Sequence, residues 1–182
     1  MGYRRPDGAD PPEDSYSRVT EPERFAAVVE AADVLVARLV ETYDVVATPT
    51  GLDGAVRARR LVPREGAPLV LGVTPFPSVV LMAGTWATPS RFPECGCDAC
   101  DESGQDAVDR LLEEIGAVVH GGFRERLTRH ELTCSWEHED LRRSSTAPLS
   151  RAKHQELAAL APAGDHAWPA WPVRTAAVPP AT

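Results

Sequence analysis

Residues 43–83, YDVVATPTGLDGAVRARRLVPREGAPLVLGVTPFPSVVLMA, decide the fold class. Short runs rich in β-branched and apolar residues, Asp44–Thr48, Ala55–Val62, Pro68–Val73 and Ser78–Ala83, alternate here with turn chemistry at Pro49-Thr50-Gly51, Pro63–Ala67 and Thr74-Pro75-Phe76-Pro77. Runs of that length separated by such short connections predict an antiparallel meander. Leu69-Val70-Leu71 and Val79-Val80-Leu81-Met82 are continuously apolar and are expected as central strands, with Trp86 continuing the last.

Upstream the pattern is helical. Thr20 is positioned to cap, Glu23 occupies the reciprocal place of a capping box and Pro22 is tolerated in a first turn. Phe25, Val28, Val29, Ala32, Leu35, Val36, Leu39 and Val40 then recur at helical spacing, which predicts a helix over roughly 21–42. Downstream, residues 88–104 read as a loop, and Ser103 caps a second helix carrying Ala107, Val108, Leu111, Leu112, Ile115 and Val119, with Gly121-Gly122 as its end. A helical turn is expected over Phe123–Thr128, a fifth strand over Glu131–Trp136, a polar connection beyond Asp140 and a short helix over Ser150–Leu160. The expected fold is therefore α+β: two main helices packed on an antiparallel sheet of four to five strands, with loop-rich termini. The expected organisation is an extended N-terminal arm over 1–19, a single α+β domain over 20–160 and a Pro/Trp-rich tail over 161–182.

Composition narrows the function classes. The 182 residues suit one domain, and 17 prolines and 13 glycines are numerous enough to suggest loop-rich ends. A formal charge of −8 disfavours nucleic acid and anionic membrane surfaces, so neither is expected as a partner; a protein partner stays open, as does the oligomeric state. No long apolar window is present and the first twenty residues lack a secretory apolar run, so a cytoplasmic protein is expected. The chain has no G-x-S-x-G, phosphate-cradling or dinucleotide-binding glycine motif, and no H-E-x-x-H.

The compact constellation with chemical content is Cys95-Gly96-Cys97-Asp98-Ala99-Cys100-Asp101. Three thiols within six residues can converge on one soft cation, and Gly96 gives the backbone room to fold back. Tetrahedral structural zinc wants four ligands; Cys134 is the nominee for the fourth, with His120, His130, His138 and Asp101 as alternatives. The same loop also reads as a hydrogen-bonded structural turn, or as a redox pair at Cys97 and Cys100 ahead of a helix N-terminus. Asp98, Asp101 and Glu102 oppose a bare thiolate and favour a cation. A site lacking a fourth protein ligand would carry water, with Glu94 or Glu102 available as a base.

Other residues have plainer readings. Arg57, Arg59, Arg60 and Arg64 form a basic stripe that reads as a solvated strand face, and Glu113 and Glu114 as a solvated helix face. His130 and His138 read as surface residues. Trp168 and Trp171 are expected to pack back on the sheet, the alternative being a linear ligand for a partner groove.

The opening YRRPDG and PPEDSYSRVTEPERF, the loop FPECGCDACDES, GGFRERL and the terminal WPAWP make the chain similar to a family of uncharacterised actinobacterial proteins classed as a domain of unknown function. That resemblance implies no activity, substrate or catalytic residue. No catalytic residue is assigned, and the chain is read as a non-enzymatic binding or scaffold module in which Cys95, Cys97, Cys100 and Cys134 hold a structural zinc. The rival reading is a small metal-dependent or thiol-redox enzyme using the same cysteines.

Overall fold

The computed structural model describes residues 10–86, 89–100 and 102–175. The meander forms as the turn chemistry requires. Strands β1 (Val45–Thr50), β2 (Arg57–Pro63), β3 (Leu69–Val73) and β4 (Val79–Ala83) pair antiparallel in sequence order, and β5 (Ser90–Phe92) adds a fifth strand beside β4. Pro49 sits within β1, which tolerates it as an edge strand needing only one line of ladder bonds. Trp86 does not extend β4. Gly84 turns the chain at φ 77°, and Trp86 drops into the core at 2% exposure, its indole N–H donating to the Leu157 carbonyl at 3.0 Å.

Helix α1 (Ala26–Thr42) buries Val28, Ala32 and Leu39 and lies against β1 and β4. The expected capping box does not form. The helix is entered through a 3₁₀ turn, Pro22–Phe25, whose preceding residue Glu21 is left-handed at φ 55°. Thr20 is otherwise engaged: both its N–H and its hydroxyl donate to Asp98, which turns its side chain toward the cysteine loop. Helix α2 (Gly104–Val119) does carry the expected cap: Asp106 N–H donates to Ser103 Oγ and Ser103 N–H to the Asp106 carboxylate, both at 3.0 Å.

Beyond α2 a second antiparallel sheet replaces the expected turn and polar connection. Strands β6 (Phe123–Leu127), β7 (Glu131–His138), β8 (Leu141–Pro148) and β9 (Gly164–Ala167) lie in the order β8-β7-β6-β9, so the strand expected at 131–136 belongs here and not with the meander. Residues 123–127 are a strand because Phe123, Glu125 and Leu127 alternate inward with Arg124 and Arg126 outward, a period of two. Strand β8 is polar because it is an edge with most of its residues in solvent. The expected short helix appears as α3 (Arg151–Ala158).

Helix α2 packs on α1, β5, β7 and β8, so the two helices join the two sheets through one core running from Phe25 and Leu69 to Phe123 and Trp136. Two acids sit in that core. Glu114, expected in solvent, is 1% exposed and paired with Arg143 of β8. Glu125 is equally buried and accepts N–H bonds from Thr85 and Trp86 at 2.8 Å and from the Trp168 indole at 3.0 Å. Trp171 packs back as expected, 3% exposed, with its indole donating to the Ala67 carbonyl at 2.9 Å. In the basic stripe, Arg57 forms a two-bond pair with Asp33 while Arg59 and Arg60 face solvent. Among the described residues no helix is long and apolar enough to cross a membrane.

Candidate metal centre

The cysteine loop leaves β5 at the buried Phe92 and returns at Ser103, the exposed cap of α2, whose next residue Gly104 is buried. Its entry is held by Glu102, whose carboxylate accepts the N–H of Glu94 at 3.1 Å and of Cys95 at 3.3 Å. Arg110, two turns along α2, pairs with that carboxylate and reaches Glu94 at 2.9 Å. The middle of the loop is held by the N-terminal segment. Asp98 N–H donates to the Arg18 carbonyl at 2.9 Å and Ala99 N–H to the Ser15 carbonyl at 3.2 Å, while the Asp98 side chain takes bonds from Arg18 and Thr20. Those bonds draw the Asp98 carboxyl well below the ordinary carboxylate range, to about 2, the Thr20 hydroxyl contributing most. Gly96 lets the loop pass close to Phe76: a Cβ there would stand 2.6 Å from the ring, which would have to move.

This framework brings three thiols together. Cys95 Sγ lies 3.1 Å from Cys97 Sγ, and Cys97 Sγ lies 3.4 Å from Cys100 Sγ. All three sulfurs fall within 4.8 Å of one another, with Cys97 buried and Cys95 and Cys100 half-buried. Thiolates sharing a tetrahedral zinc stand ~3.8 Å apart, from a Zn–S bond of about 2.3 Å, so small side-chain adjustments would seat an ion. The thiols also bias one another. Hydrogen bonding from Cys95 lowers the Cys97 pKa, whereas Cys100, bonded to Cys95 and Cys97 and partly desolvated, is pushed up to about 12. One thiolate is accommodated by its neighbours, and the remaining ionisations need a cation to offset the accumulated charge.

The other nominated ligands lie elsewhere. Cys134 is on β7, in register with Glu125 and Ser145 and 1% exposed in the core, and it is not among the converging donors. His120 and His138 stack on each other at 4.4 Å, and His130 is exposed in the turn between β6 and β7. Asp101 falls outside the described residues. What sequence spacing did not reveal is the frame: Arg18, Thr20 and Phe76 are remote in the chain. Arg110 is nearer, but Glu102 stands before the Ser103 cap and outside the helix, so helical spacing carried no signal for that pair either. The convergence of the three sulfurs is thus a property of the loop and its frame together.

No curated protein and no solved structure matches the chain. A family model described as a family of unknown function matches residues 1–175, which takes in the N-terminal segment, the cysteine loop and both sheets. The chain therefore belongs to that family, DUF6226.

Proposed function

We propose that the loop of Cys95, Cys97 and Cys100 holds one zinc ion, and that the ion fastens the N-terminal segment to the start of α2 in a non-enzymatic binding or scaffold module. The observation that carries the reading is the convergence of three sulfurs within 4.8 Å on a frame that bonds the 15–20 segment to one side of the loop and Arg110 to the other. Zinc suits the donor set because it takes thiolate ligands without a redox change and offsets the charge that opposes ionisation of the second and third thiols.

The test is elemental analysis of protein purified without a metal-affinity column, paired with a thiol count before and after chelation. One zinc per chain, with the three loop thiols released only by chelator, is the expected result. Metal-free protein whose loop thiols titrate at once would overturn it. A second reading, thiol-redox chemistry at Cys97 and Cys100, draws support from their 3.4 Å separation and the lowered Cys97 pKa. It requires rapid alkylation of Cys97 and reversible cycling between dithiol and disulfide.

A further inference from the structure

We infer that the cysteine loop is an open three-sulfur site, in which the bound metal keeps one coordination position for a soft, monodentate ligand from solution such as a small thiol. The inference rests on the metal-holding reading above and goes beyond it by assigning what completes the ion's coordination.

Among the described residues the neighbouring carboxylates are already engaged. Asp98 holds Thr20 and Arg18, Glu102 holds the amides of Glu94 and Cys95 together with Arg110, and Glu94 is paired with Arg110. Turning Asp98 or Glu102 onto a metal would break bonds that shape the loop, and Glu94 would give up its exposed pair with Arg110. Cys134 and the histidines nominated from sequence are built into β7, into a stacked pair and into a turn, so among the described residues three donors converge and no more. Exposure adds direction. Cys97 is the buried member, while Cys95 and Cys100 are half-buried, so an ion seated on the three sulfurs is approached from the Cys95 and Cys100 side.

A tetrahedral ion on three thiolates has one position left, and that position is what separates an exchangeable site from a sealed structural one. A fourth sulfur is a coordination that zinc takes readily, as in four-cysteine sites, so a thiol suits the open position. The step is ligand exchange without redox change: the bound water leaves, the metal–sulfur bond forms, and the incoming thiol gives its proton to solvent.

Cobalt(II) makes the position visible. The full chain is loaded with cobalt under anaerobic conditions, its thiolate charge-transfer and visible d–d bands are recorded, and 2-mercaptoethanol is titrated in while dialysis checks that cobalt stays bound. The expected result is a saturable shift of the d–d bands that reverses when the thiol is removed, and that is the same in C134S and D101N. A cobalt–thiolate spectrum indifferent to added thiol overturns the open site and leaves the metal reading standing. So does a cobalt spectrum altered by C134S or D101N before any thiol is added, since that identifies a sealing ligand. Absence of any cobalt–thiolate band, with the loop thiols titrating freely, overturns both.

Discussion

Replacing Glu125 by Gln tests the join between the two sheets. The carboxylate of this β6 residue accepts three N–H groups, from Thr85 and Trp86 on the turn after β4 and from the Trp168 indole after β9. It sits directly against Gly84, where a Cβ would come within 2.7 Å of a carboxylate oxygen. Oε1 serves Thr85 and Trp168, and Oε2 serves Trp86. A glutamine keeps its single acceptor oxygen where two donors meet, so its amide nitrogen faces the Trp86 N–H. One charge-assisted bond is then lost and a buried donor is left facing a donor, a cost of about 2–3 kcal/mol. Alanine removes all three bonds and is expected to cost at least about 4 kcal/mol, a large share of the roughly 5–15 kcal/mol that holds a typical domain. In this size range the glutamine variant should melt roughly 5–10 °C below the parent. Urea unfolding followed by far-UV signal and by tryptophan fluorescence gives the midpoint, and an unchanged m-value secures the comparison. A glutamine variant within about 0.5 kcal/mol of the parent would refute the view that this carboxylate bonds the sheets together.

Two further predictions concern charged groups. Arg143→Met strands the buried Glu114 carboxylate and is expected to cost about 3 kcal/mol at neutral pH, less than the largest such penalties because the Arg143 side chain is 37% exposed. Burial raises the folded-state pKa of Glu114, and losing Arg143 raises it further, so the deficit should shrink on acidification as the carboxyl takes a proton; urea midpoints at pH 5 and pH 7 that show the same deficit would count against it. Asp98 has the opposite sign. Its folded-state pKa of about 2 lies below the ordinary 3.8, so the stability it lends the N-terminal segment is present above about pH 4 and is lost as pH falls through about 2. Hydrogen-exchange protection at the Asp98 and Ala99 amides, taken relative to the intrinsic rate at each pH, should fall over that window in the parent, and Asp98→Asn should show the lower protection already at neutral pH.

Legibility follows the length scale of each signal. The meander can be read because every connection is a short turn whose residues dictate it, and α2 because Ser103 and Asp106 cap it locally. Residues 123–127 read as helical in the sequence because five residues with two arginines carry too little pattern to separate a period of two from a period of 3.6. Strand β8 is illegible for a related reason: a solvated edge strand is polar, and what makes it a strand is the partner β7 supplies. At the candidate site the three loop cysteines are legible from spacing alone, while the placing of Cys134 in the core is not, since it depends on which face of β7 turns inward.

By itself, the sequence determined the α+β class, the order of the meander, the capped second helix and the gathering of three thiols in one loop. Each rests on residues close in the chain, where backbone sterics, turn chemistry and hydrophobic periodicity act without help. The tertiary structure decided that the strands divide into two sheets, that Glu114 and Glu125 are core residues, and that the loop is clamped between Arg18 and Thr20 on one side and Arg110 on the other. Those outcomes depend on partners brought together from as far as 80 positions apart, and a buried charge is tolerated only where such partners meet it.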